Sequence, residues 1–253
     1  MILNKRDISL NIEGIKAEVI YHKYRDFGVK TLIIYFGGET RRVLSTLDGY
    51  REVKYVANVY IPNSLAMQTM TNYEIFFKEF PNSLGINQNE ISFLSTGADM
   101  DNLALCEKSY QEFSVCCLAT AGTGNALRTG IDKADYVERN GKFEHIPGTI
   151  NIIILSNAAL TDGAMARAII TATEAKTAAL QDLGVMSVFS PKCQATGTGT
   201  DNIIVVSGRD SERLVRWIGG HTKMGELIGV ATRVAVIKAL EKQEGRVLIE
   251  KSG

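Results

Sequence analysis

The sequence predicts an α+β fold: a mixed sheet with helices packed on it, in a single layered domain spanning residues 1–253, with antiparallel strands at the N-terminus. Three observations predict it. Short alternating or apolar runs separated by turn residues fill the first sixty positions, which is the pattern of a strand meander. Two near-continuous apolar runs, 113–121 and 149–155, have the character of buried central strands. Two long segments near 162–183 and 222–243 carry small and apolar residues at helical spacing and follow strand-like stretches. No linker rich in Pro, Gly and Ser divides the chain.

In order, residues 8–12, 17–21 and 31–36 are the first strands, punctuated by Gly14 and by Asp26-Phe27-Gly28. Residues 41–45 begin another strand, and 55–61 form a further one that Pro62 ends. Leu65, Met67, Met70, Tyr73, Phe76, Phe77 and Phe80 recur at helical spacing, and Asn63 or Ser64 caps that helix. Residues 91–94 are a short strand. The polar segment 132–147 contains Asn140-Gly141, a hairpin signal. Thr161 or Asp162 caps a helix that reaches Leu183 and stops at Gly184. Residues 202–206 are a strand, and the last helix runs from about Thr222 to Gln243 with Gly245 after it.

Bulk chemistry excludes several classes. Lys plus Arg and Asp plus Glu both number 28, so no global field draws the chain to nucleic acid or to an anionic membrane. No apolar run approaches the roughly 18 residues that span a bilayer. The first residues lack the apolar core of a secretory signal. Cys106, Cys116, Cys117 and Cys193 make no C-x-x-C pair, which fits a reducing cytoplasm. The three histidines, His22, His145 and His221, are far apart in sequence, so no metal centre and no cofactor is demanded, although Glu174, Asp201 and His221 have the chemistry to hold a metal ion.

Three predicted strands run into turns rich in Thr and Gly that end in Asp or Asn. They are 95–102, which holds Asp99 and Asp101; 119–125, which holds Thr120, Gly122, Gly124 and Asn125; and 195–202, which reads Ala195-Thr196-Gly197-Thr198-Gly199-Thr200-Asp201-Asn202. Small residues let backbone N–H groups and hydroxyls approach a ligand closely. Turns of this kind converging at one sheet edge would make a binding site. Arg128, just after the second turn, has the chemistry to bind an anion or a carbonyl, and Asp132 or Asp135 is within reach as a salt-bridge partner instead. Glu174 shares a helix stripe with small and hydroxyl residues and reads as an acid facing a crevice, whereas Lys176 reads as a surface lysine. His221 precedes the last helix, where the N-terminus favours a neutral imidazole able to act as a base.

The segments 93–104, 119–126, 147–153, 171–179, 195–201 and 220–229 together resemble the adenosylcobinamide amidohydrolase family, in the same order and over most of the chain beyond residue 90. The resemblance implies hydrolysis of the amide joining the aminopropanol arm to the corrin ring of adenosylcobinamide. It implies adenosylcobyric acid as product, in a salvage route to coenzyme B12. The substrate is itself a cobalt corrinoid and the expected partner is that small molecule, with a homo-oligomer left open.

Amide hydrolysis needs an activated nucleophile, an oxyanion stabiliser and a proton donor to the leaving amine. On the residues, His221 or Glu174 is the base. Backbone N–H groups of 122–125 or 196–200, with Asn125, hold the oxyanion. Asp201 orients His221, or Lys176 if that lysine turns inward. Thr198 or Thr200 is the alternative nucleophile. Two other readings compete: a corrinoid-binding module without catalysis, and a nucleotide- or phosphate-handling enzyme built on the glycine turns. The second lacks the third small residue of a dinucleotide fingerprint, at Leu127, and any Gly-Lys-Ser/Thr.

Overall fold

The computed structural model describes residues 2–69, 73–134 and 149–248. The hairpin expected at Asn140-Gly141, together with Asp135 and His145, lies outside them. The α+β class is as expected, and the strands divide between two principal sheets. One has the order β1-β2-β3-β6-β7, from Ile2–Ile8, Lys16–Tyr24, Phe27–Tyr35, Tyr55–Tyr60 and Ile91–Thr96. It is antiparallel except for the β6–β7 pair. The other has the order β5-β4-β14-β11-β9-β8, from Gly49–Val53, Arg41–Ser45, Asn202–Val206, Ile150–Ser156, Phe113–Ala121 and Ala104–Tyr110. Within it only β11 and β14 run parallel. Two short ribbons complete the strands among the described residues: β10 (Ala126–Leu127) with β13 (Gly197–Thr198), and β12 (Ala158–Leu160) with β15 (Asp210–Val215).

Side-chain alternation turns these sheets into layers. On β9, Val115, Cys117, Ala119 and Ala121 pack beneath α3 (Asp162–Asp182) and α4 (Lys223–Glu244). Cys116 and Leu118, on the opposite face, join Leu32, Ile34 and Leu94 in a core between the two sheets. The outer face of the five-stranded sheet, with Ile20, Ile33 and Phe93, is covered by α1 (Asn63–Thr69) and α2 (Tyr73–Ser83). The order is therefore helix, sheet, sheet, helix. Caps set the long helices: Thr161 accepts from Ala164 N, Thr222 accepts from Gly225 N, and Gly184 (φ 62°) and Gly245 (φ 68°) take the left-handed backbone that ends them. Among the described residues no helix is long and apolar enough to cross a membrane.

Several elements differ from expectation. The alternation at residues 8–12 belongs to a loop that anchors Ile12 and Ile15 in the inter-sheet core, and β1 lies earlier as an exposed edge strand. The stretch expected as one helix over 65–80 holds α1, ending at Thr69, and α2, starting at Tyr73, and residues 70–72 lie outside the described residues. The strands β5, β8, β12 and β15 have no expected counterpart. Each is short, polar or at a sheet edge, so its pattern is weak.

Beneath α2, His22 is 2% exposed, with its Nε2 2.9 Å from Thr31 Oγ1 and its ring 5.9 Å from that of Phe80. Burial pushes this imidazole below the usual histidine range. The unfolded chain then binds the extra proton near pH 6.5, so the stability due to neutral His22 is complete above that pH and is lost as pH falls. Urea midpoints are expected to decline from pH 7 to 5, with a limiting slope for one proton of about 1.4 kcal/mol per pH unit. His22→Gln should flatten that decline, and an unchanged slope would remove His22 as its source.

Candidate functional site

Several buried polar residues gather where β9 ends and β11 and β14 begin. Thr120, Asn151 and Asn58 point into the inter-sheet space and are buried. Asn58 Nδ2 donates to Thr120 Oγ1 (2.9 Å), and Asn151 Nδ2 donates to Asn58 Oδ1 (2.9 Å) and to Ser95 O (2.8 Å). This ladder ties the end of β7 to the six-stranded sheet. The three Thr/Gly turns meet here. A methyl on Gly122 would lie 3.9 Å from Ala98 Cβ, and Ala126 pairs with Thr198 across the β10–β13 ribbon.

Asp201 organises the third turn. Its Oδ1 accepts from Ile150 N (3.0 Å) and Thr198 Oγ1 (2.5 Å), and its Oδ2 accepts from Thr198 N (3.0 Å) and from the Lys176 ammonium. The Lys176 and Asp201 side chains are only 7% and 13% exposed, so the ion pair is withdrawn from solvent. Lys176, expected on the surface, is buried because it continues the inward stripe of Ala164, Ala168 and Ala172 on α3, every fourth residue. That spacing was the signal for it. Glu174, two residues earlier, falls on the other side of the helix and is exposed. Gly197 is glycine for a local reason: a Cβ there would collide with Asp201 Oδ2 and stand 2.5 Å from Lys176 Nζ. Thr177 Oγ1 donates to Thr196 O (2.8 Å), fixing the start of the turn to the helix. Asn125 is buried beside Gly199, its Nδ2 3.7 Å from where a Gly199 methyl would stand.

The second turn is held from α4. Thr123 N and Oγ1 donate to the two Glu244 carboxylate oxygens (2.5 and 2.6 Å), and Arg246 Nε reaches the same carboxylate (2.7 Å). Burial alone would raise the Glu244 carboxyl, but the Thr123 donors and Arg246 outweigh it and hold the group below its usual range. Gly122 N donates to Thr149 O. The N–H groups of residues 122 and 123 are thus engaged, which corrects their assignment as oxyanion donors. Gly124 and Gly199 are exposed and keep a backbone edge toward solvent.

The first turn is occupied differently. Asp99 and Asp101 both accept from Lys30 Nζ (2.7 and 2.5 Å), and Tyr21 OH donates to Asp101 (2.5 Å). Arg128 donates from Nη1 to Gln194 O (3.2 Å), while its backbone N donates to Asp132 Oδ2 (2.6 Å), so Asp132 meets the Arg128 backbone and not its guanidinium. His221 lies beside the N-terminus of α4, at the far end of the six-stranded sheet, where Lys223 covers Tyr110. About 33 Å of helix separates it from Glu244. Asp201 is therefore the partner of Lys176 and not of His221. Burial pushes the Cys117 thiol up to about 12, and Cys116 is raised by the same cause, so neither thiol is an activated nucleophile. Among the described residues no group of three or more His, Cys, Asp or Glu is arranged to hold a metal ion.

The structure thus brings together Thr120, Gly122, Asn125 and Thr196 to Asp201. It sets Asp99 and Asp101 in a neighbouring ion cluster and leaves Glu174 and His221 apart. Sequence reasoning missed Asn58, Asn151, Glu244 and the role of Lys176. The two asparagines sit inside apolar strand runs, where a lone amide is itself the signal.

A family model described as adenosylcobinamide amidohydrolase matches residues 16–247. An uncharacterized protein of Methanocaldococcus jannaschii is 47% identical over 93% of this chain and 96% of its own length. The adenosylcobinamide amidohydrolase of Methanosarcina mazei is 30% identical over 84% of this chain and 94% of its own. Among solved structures, the PH0078 protein of Pyrococcus horikoshii aligns over 96% of this chain and 89% of its own, at 11% identity and a TM-score of 0.48.

Proposed function

The chain belongs to the adenosylcobinamide amidohydrolase family, and from that premise we propose that it cleaves the amide between the aminopropanol arm and the corrin ring of adenosylcobinamide. The product is adenosylcobyric acid, re-entering coenzyme B12 synthesis in the cytoplasm, and no added cofactor takes part. The observation that carries the reading is the Thr198–Asp201–Lys176 cluster, in which one carboxylate contacts both a hydroxyl and an ammonium at the third small-residue turn.

In this reading Thr198 Oγ1 attacks the amide carbon and its proton passes to Asp201 Oδ1. The oxyanion is stabilised in this reading by Gly199 N–H and by the Asn125 amide, which approaches Gly199. The C–N bond breaks as the proton moves to the departing amine. Water then hydrolyses the threonine ester, releasing the corrin carboxylic acid and restoring the hydroxyl. Lys176 keeps the carboxylate in place and balances its charge.

Incubation of the protein with adenosylcobinamide, followed by mass spectrometry, tests the reading. Release of aminopropanol with gain of one water in the corrin product is expected. Unchanged ligand that stays bound would instead make this chain a corrinoid-binding module. Nucleotides that stabilise the fold where corrinoids do not would favour phosphate chemistry. Glu174→Ala and His221→Ala are expected to turn over near the wild-type rate, because both side chains are exposed and away from Asp201.

A further inference from the structure

At the other end of the six-stranded sheet, roughly 17 Å along β11 from Asn151, lies a polar cavity of about 380 Å³. Arg41, Arg209, Arg213 and Ser114 line it, with Glu13 and Asp210. Two of its arginines are already paired, Arg209 with Glu39 and Arg213 with Asp210. Arg41 is not. It shares the inter-sheet face of β4 with Val43 and is half-buried. Its Nε is shielded from solvent without a hydrogen-bond partner, and among the described residues its guanidinium makes no ion pair. The turn at Gly14 (φ 73°) closes over it, so that a methyl there would sit 3.9 Å from Nη2.

A desolvated guanidinium with an unmet donor is costly, and buried donors are almost always satisfied by a partner, a water or an ion. Burial disfavours the charge on Arg41, which an anion in the cavity would offset. The planar donor fork of arginine matches an oxyanion. We propose that this cavity binds an oxyanion, either a phosphate group or a carboxylate, with Arg41 as its principal donor and Arg209 and Arg213 at its rim. The site is separate from the Thr198 cluster and does not depend on the reaction proposed there.

The test is thermal unfolding of the full chain in inorganic phosphate, glycerol phosphate or succinate, each against sodium chloride at equal ionic strength. A saturable rise in midpoint is expected for the wild type. A response to both phosphates assigns the site to phosphate groups, and a response to succinate alone assigns it to carboxylates. Arg41→Gln should weaken the binding at least tenfold. Arg209→Gln, at an exposed position, should weaken it several-fold and serves as the second variant if Arg41→Gln does not fold. Absence of any saturable rise beyond chloride, or equal rises in wild type and both variants, overturns the proposal.

Discussion

Lys176→Met is expected to destabilise the fold by about 3–5 kcal/mol, because it leaves Asp201 buried without its counter-charge. Asp201 would keep its bonds from Ile150 N, Thr198 N and Thr198 Oγ1. Those neutral donors do not replace an ammonium in contact with the carboxylate. For a chain of this size the loss corresponds to roughly 2–4 °C in Tm per kcal/mol. Asp201→Asn should be destabilising for the converse reason, stranding the ammonium among the alanines of α3. The double variant should lose much less than the sum of the two, since one interaction is removed twice. Urea unfolding of the three variants checks this, and a Lys176→Met loss under about 1 kcal/mol would show that the pair does not hold the turn.

Thr198→Val keeps the shape of the side chain and removes its hydroxyl. If Thr198 is the nucleophile, turnover should fall by about 10³-fold or more. Stability should drop by only about 1–3 kcal/mol, for the hydrogen bond lost to Asp201. Thr198→Ser restores a hydroxyl and should retain measurable turnover, and brief reaction followed by acid quench should trap an ester on residue 198. A folded Thr198→Val variant that turns over normally would reduce the cluster to a staple of the loop, with water as the attacking group. The two experiments are separable, since the first reads stability and the second reads turnover of a variant that stays folded.

Much of the fold was legible because its strongest elements are also its most regular. The run Phe113–Ala121 and the helices capped by Thr161 and Thr222 stand where their patterns put them. The division of the strands into two sheets was not legible, because it depends on β4 pairing with β14 and on the face each strand turns inward. The convergence of the turns could be read from their repeated composition. Lys176 was misread because charge was weighed before position: its place in the alanine stripe outweighs the usual exposure of lysine once Asp201 is there to receive it. The place of His221 was not legible, because it depends on the 22-residue helix that separates it from the turns at the other end of the sheet.

The pairing of β4 with β14 also has a consequence in time. Val43 and Val206 are neighbours in the sheet but about 160 residues apart in the chain. At about 5–20 residues per second, a ribosome needs roughly 8–30 s to deliver the second strand after the first. The β1–β2–β3 ribbon closes through near-neighbour contacts and can form early, whereas the β4–β5 hairpin must wait with its inner edge unpaired. The nascent chain therefore passes through a long interval as half a sandwich, and its exposure to aggregation ends only when Asn202–Val206 emerges to close the second sheet.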